Sequence, residues 1–285
     1  AKSVFAGLGY MLLTRRWPEF ADLAVIDLVP ACNLEDKRWQ NVTTRHLVNM
    51  KTGLYDSTEF ERDDVSGKMQ TFFLAESDAE KTRFSCEAWP QKAAPGSVAV
   101  YHTSDIYLLG VAMNNFLKEK MGQQTDIHRY LYDSFLERLQ LSPLSRWTQR
   151  TYDARNQPFT GYGLIFQTDD ISKIAQSLNS DSSPDYPLAG VDFEAALLRG
   201  PLKSVDFTNT FGDLTYNNGF WGLDIANIIN CSVETWVPFM SGYGGIVVAM
   251  FPDGSIYYHF SDGGQYSFKH AAVEANKALN YCKES

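Results

Sequence analysis

Ala1 to Leu13 read AKSVFAGLGYMLL, and the fold turns on how this stretch is read. Val4, Phe5, Leu8, Met11 and Leu12 recur at i, i+1, i+4, i+7 and i+8, the spacing of a buried helical face. Ala6, Gly7 and Gly9 lie among them, which predicts close approach of another backbone. Lys2 near the start of so apolar a helix has no acid within four residues. Buried there, it tends to lose its proton, and a desolvated lysine serves as a base near neutral pH. The plainer role is a terminal side chain snorkelling to water.

Working outward, 285 residues suffice for one large domain or two intermixed lobes, with a substantial core. A net charge of −9 without any Lys/Arg run argues against nucleic acid as a partner. No apolar run reaches the roughly 18 residues that a membrane span needs. Cys32, Cys86, Cys231 and Cys282 are too scattered for a CxxC metal or redox motif. Their spacing leaves two disulfides and four buried thiols equally open. Aromatics at 14% favour a substrate cleft or a thick core, without choosing between them.

Trp17-Pro18 ends the opening helix. Thr43-Thr44 caps a short helix from Arg45 to Lys51, which stops at Gly53. Glu59 to Gly67 is acidic and polar and reads as a surface loop. Met69 to Ala75 begins another helix. Ser97 to Val100 has strand character and leads to Tyr101, after which Ser104 or Asp105 caps a helix from Ile106 to Lys120. Tyr101 is thereby placed at a helix entrance, where functional side chains are often presented. Further helices are expected from Asp126 to Gln140, Ile171 to Leu178 and Phe193 to Leu198. Tyr216 to Gly222 reads as a turn followed by aromatics. Gly244 to Phe251 and Ser255 to Phe260 are strands joined by Pro252-Asp253-Gly254, a hairpin signal. A last helix from Phe268 to Cys282 carries Ala271, Ala272, Ala275, Ala278 and Leu279 on one face.

Several of these stretches, in this order, resemble the serine β-lactamase and penicillin-binding-protein superfamily, its esterase, amide-hydrolase and class C-like members above all. Ala1-Lys2-Ser3-Val4 is similar to the tail of its Ser-x-x-Lys motif, with Lys2 as the lysine. Val42 to Leu54 resembles the family's Thr-x-Arg-His-Leu segment ending in Gly-Leu. Tyr101-His102-Thr103 resembles Tyr-x-Asn, here with threonine in the asparagine place. Gly161 to Leu178 resembles a further family helix. Met240-Ser241-Gly242-Tyr243-Gly244-Gly245 stands where members carry Lys-Thr-Gly, His-x-Gly or a variant. The resemblance covers nearly the whole chain.

It implies an α/β (α+β sandwich) fold: an antiparallel sheet flanked by helices with an inserted, mostly helical region. One domain over 1–285 is expected, helical over about 55–230, with sheet strands and the C-terminal helix in 231–285. The family's nucleophile falls three residues ahead of Lys2, and its first strands come earlier still. The expectation is therefore of a chain without its N-terminal piece, and an upstream fragment of the same protein becomes a possible partner. Ser3 is a poor substitute, since adjacent helical residues point about 100° apart.

In Ser-x-x-Lys, one helical turn puts serine and lysine on one face, so that a neutral lysine or a tyrosinate takes the hydroxyl proton. The resemblance thus assigns Lys2 and Tyr101 to catalysis, with Lys2 also able to depress the Tyr101 pKa. Thr103, Ser241, Gly242, Tyr243, Gly244 and Gly245 are assigned to substrate binding, with substrate lying along an edge strand and reaching backbone N–H groups. Tyr243 in place of a cation suits esters or amides better than β-lactam carboxylates. No metal or organic cofactor is implied, the partner is a small acyl substrate, and the family suggests a periplasmic or secreted protein. The competing reading is a non-catalytic ligand-binding or partner-binding protein of the same fold.

Overall fold

The computed structural model describes residues 2–180, 185–198, 209–211 and 213–282. The chain opens with a π-helical turn, Lys2–Gly7, that runs straight into α1 (Leu8–Arg16). The expected face is buried, and so is the opposite side as far as Thr14, with Tyr10 and Leu13 buried and only Arg15 and Arg16 exposed at the end. Enclosure on all sides explains Gly7, where a Cβ would run into the Asn218 carbonyl oxygen.

Short helices α2 (Val25–Leu28) and α3 (Thr44–Val48) follow. At the start of α3, Thr43 N–H donates to His46 Nδ1 over 3.0 Å, so His46 serves as a cap. Then come α4 (Gly67–Leu74), α5 (Asp78–Glu87), the long α6 (Thr103–Met121) and α7 (Ile127–Leu131). Beyond them lie α8 (Thr168–Ser180) and α9 (Val191–Ala196). Ser97 to Val100 is irregular rather than a strand. Its Val100 N–H bonds back to the Met50 carbonyl over 3.0 Å, with no ladder to join.

The sheet comprises β1 (Asn209–Phe211), β2 (Leu214–Asn217), β3 (Phe220–Asp224), β4 (Trp236–Gly242), β5 (Ile246–Met250) and β6 (Ile256–Phe260). The strands lie in that order, all antiparallel. Its first three strands therefore fall ahead of residue 231, inside the stretch expected to be helical. Asn218-Gly219 joins β2 to β3 with φ of 47° and 92°. Positive φ at both positions is what a tight two-residue hairpin requires, so the "turn followed by aromatics" is a hairpin.

The hairpin tip is fixed to the opening helix. Ser3 Oγ donates to the Gly219 carbonyl over 2.6 Å, and Asn218 N–H donates to Asn49 Oδ1 over 2.9 Å. α8 packs on β5 and β6. Successive residues Val247 to Met250 are all buried, so β5 is covered on both faces.

α10 (Ala226–Ile229) and α11 (Lys269–Leu279) pack together. α11 buries Ala272 and half-buries Val273 and Ala275, whereas Ala278 and Leu279 of the expected face are exposed. Cysteines pair as Cys32–Cys86 and Cys231–Cys282, which settles the disulfide question in favour of two bridges. Antiparallel sheet, flanking helices and a large helical region make this an α+β sandwich, as expected.

Candidate active site

Three segments far apart in sequence meet in a cleft of about 720 Å³. The opening turn contributes Lys2, the entrance of α6 contributes Tyr101 and Thr103, and the end of β4 contributes Ser241, Gly242 and Tyr243. Gly161-Tyr162-Gly163 lines the cleft as well, and Gly161 lets the chain pass Thr103: a Cβ there would come within 2.9 Å of Thr103 Cγ2. Among the described residues, no His/Cys/Asp/Glu group could hold a metal ion.

Lys2 Nζ donates to Thr103 Oγ1 over 3.0 Å and lies 4.5 Å from the centroid of the Tyr101 ring. Thr103 in turn is held by Asp64. Its N–H donates to Oδ1 over 2.6 Å and its hydroxyl to Oδ2 over 2.9 Å. The threonine hydroxyl is thus a relay, accepting from the amine and donating to a carboxylate. Burial lowers the Lys2 pKa, while Asp64 and Glu61 pull it the other way. Burial raises the Tyr101 pKa, with Asp64 and Glu61 adding to the shift. Lys2 lies over the π face of the ring, and burial favours the protonated phenol.

The end of β4 differs from an edge strand. β4 lies between β3 and β5, and its ladder with β3 reaches Phe239 and stops. Ser241 and Gly242 continue past it, paired to Val247 and Ile246 on the other side only. The cleft opens at this overhang. Gly244 and Gly245 do not line it. With φ of 89° and 108° they make the β4–β5 turn. Gly244 N–H bonds to the Tyr266 hydroxyl over 3.1 Å, and Gly245 N–H to the Gly242 carbonyl over 3.4 Å, so both donors are already engaged. Tyr243 lines the cleft at 99% exposure. Ser3 is buried and bonded to the Gly219 carbonyl, pointing its hydroxyl into the hairpin.

Sequence reasoning missed Asp64, Glu61 and Tyr266. The first two belong to the acidic stretch read as surface, yet the loop turns Asp63 and Asp64 inward. Asp63 is 3% exposed, accepting from the Asp56 and Ser57 amides and from His102 Nε2 at 3.0 Å. Nothing local in the sequence marks the two acids, since the partners that hold them, His102 and Thr103, each lie 39 residues further on.

No protein-family model and no curated protein sequence matches the chain. Solved structures do. A penicillin-binding protein homologue from Pyrococcus abyssi, described as octameric, aligns with a TM-score of 0.64 at 17% identity, over 98% of this chain and 64% of that one. A family VIII carboxylesterase aligns at 0.63 and 13% identity, over 97% and 81%. A class C β-lactamase in complex with cefoxitin aligns at 0.60 and 14%, over 98% and 82%. The chain has the fold of the serine β-lactamase and penicillin-binding-protein superfamily.

Proposed function

We propose that the protein is a serine hydrolase or acyl-transferase that acts through an acyl-enzyme on an ester, amide or small peptide. The observation that carries this reading is the convergence of Lys2 Nζ, the Tyr101 ring and the Thr103 hydroxyl in one cleft, with the amine partly desolvated. The nucleophile is a serine three positions ahead of Lys2 in the Ser-x-x-Lys pattern, one helical turn away on the same face. Neutral Lys2 takes the hydroxyl proton as the serine oxygen attacks the acyl carbon. The tetrahedral intermediate collapses, the bond to the alcohol or amine breaks, and the protonated phenol of Tyr101 supplies the leaving group's proton. Water or a second acceptor then releases the acyl group by the same steps in reverse. Thr103 and Asp64 set the Lys2 geometry, and Ser241, Gly242 and Tyr243 position the substrate. The two disulfides support an oxidising compartment, either the periplasm or outside the cell.

The test is labelling of the natural polypeptide by a fluorophosphonate, read by intact mass and peptide mapping. One adduct on the serine ahead of Lys2 is expected, with labelling about 10²-fold slower or worse in Lys2→Ala. Labelling of Lys2→Ala at the unaltered rate overturns the base assignment. Absence of any adduct turns the reading to a ligand-binding protein of this fold.

A further inference from the structure

Beside the Lys2 cleft lies a second chamber of about 450 Å³, within the roughly 300–1,000 Å³ range of small-molecule sites. The two share Glu61, Tyr101, Ser241 and Tyr266, so a group entering the second chamber passes the proposed proton donor. Its apolar walls are Phe60, Leu214, Trp221, Leu223, Phe239 and Phe268, and Asp213 and Lys269 also line it.

These rings are ordered. Tyr101 and Trp221 are near-parallel, 21° apart with centroids 6.1 Å apart, and Trp221 and Phe239 repeat the arrangement at 21° and 6.4 Å. Phe60 stands edge-on to both Tyr101 and Trp221, at centroid distances of 5.8 and 6.0 Å. Trp221 and Phe239 are direct partners across the β3–β4 ladder, so the backbone sets this wall before any ligand arrives. A fixed array of flat faces with an edge-on ring rewards a planar π system over an aliphatic group of equal volume. Phe60 is 48% exposed, a large aromatic left open to water at the chamber.

We propose that this chamber receives an uncharged, planar aromatic arm of the substrate, which makes aryl and arylalkyl esters or amides the preferred class. The inference rests on the hydrolase reading for its chemistry and on the chamber alone for its binding. Binding is therefore tested separately, with 2-naphthamide against decahydronaphthalene-2-carboxamide, its saturated counterpart, in isothermal titration. The expected result is at least tenfold tighter binding of the naphthamide, with the preference falling toward unity in Phe60→Ala and in Leu214→Trp, which fills the chamber. Phe60→Ala decides the matter if Leu214→Trp fails to fold, since Phe60 is half-exposed.

Equal affinities for the two amides, or a preference that survives Phe60→Ala with an unchanged melting temperature, overturn the chamber. Turnover of 2-naphthylmethyl acetate and decahydro-2-naphthylmethyl acetate, whose primary alcohols are comparable leaving groups, separates the two ideas. Phe60-dependent naphthamide binding without turnover of either ester keeps the chamber and removes the hydrolase. Turnover of both at equal kcat/KM, without naphthamide preference, does the reverse.

Discussion

The Thr103 hydroxyl has one proton and stands between an amine and a carboxylate, and its position defines what Lys2 can do. While Asp64 accepts that proton, the oxygen is turned to accept from Lys2, an arrangement that favours the charged amine. Burial opposes it. Asp64→Asn removes the negative charge and supplies an N–H₂ donor to the threonine oxygen, which then points its proton at a neutral amine. The cation loses support, so the Lys2 pKa falls. The ascending limb of a kcat/KM–pH profile for an activated ester should shift to lower pH, by about one unit. A limb that stays in place, or moves up, would rule out Lys2 as the titrating base. Tyr101 and Thr103 were legible in sequence because they sit together in a short motif at a helix entrance. Asp64 was not, because a carboxylate in a polar loop looks solvated until the residues that fold it inward are known.

The element that turns Asp64 inward is the loop from Asp56 to Ser66, and it is latched by His102. That imidazole is fully buried, stacked on Trp89 with centroids 4.5 Å apart. Its Nε2 is 3.0 Å from Asp63 Oδ2, and Asp105 Oδ1 stands 3.7 Å from Nδ1, an ion-pair distance. Burial alone would pull the His102 pKa down, but Asp105 and Asp63 outweigh it and raise it to about 9. A folded-state pKa above the unfolded value near 6.5 makes this contribution complete below about pH 6.5 and lost as pH climbs through 9. Its ceiling is about 3 kcal/mol. Above pH 9 the loop should loosen, with faster intrinsic-rate-corrected hydrogen exchange at the Asp56 and Ser57 amides. His102→Gln should lack that pH dependence; the same acceleration in the variant would discredit the latch. At this scale the opening helix, the Thr43 cap and the Pro252-Asp253-Gly254 hairpin were readable because each has its own local chemistry. α5 was not, since it buries Asp78, Lys81, Thr82 and Ser85 and so carries no apolar stripe. Its burial is visible only through partners such as the Phe72 carbonyl, 2.6 Å from Lys81 Nζ.

Across the whole molecule, each of the two disulfides staples a different part of the structure. Cys32–Cys86 joins the turn Pro30–Cys32 to α5, and Cys231–Cys282 joins the end of α10 to the end of α11. Their sequence separations, 54 and 51 residues, are nearly equal, so unfolded-chain entropy ranks them alike, at about 2–4 kcal/mol each. Access to reductant then decides their order. Cys32 and Cys86 are at most 1% exposed, beneath the bond from Trp39 Nε1 to the Cys86 carbonyl. Cys231 and Cys282 are only partly buried, beside the C-terminal end of α11. Mild reduction should open Cys231–Cys282 first, lowering the melting temperature in one step, and harsher reduction should then open Cys32–Cys86 in a second. Alkylation with peptide mapping reads the order. Phe268 and Lys269, which line the second chamber, lie at the other end of α11 from Cys282, so the first step should leave naphthamide binding intact. Labelling of Cys32 or Cys86 before Cys231 would show that the helical region, rather than the α10–α11 corner, opens most readily.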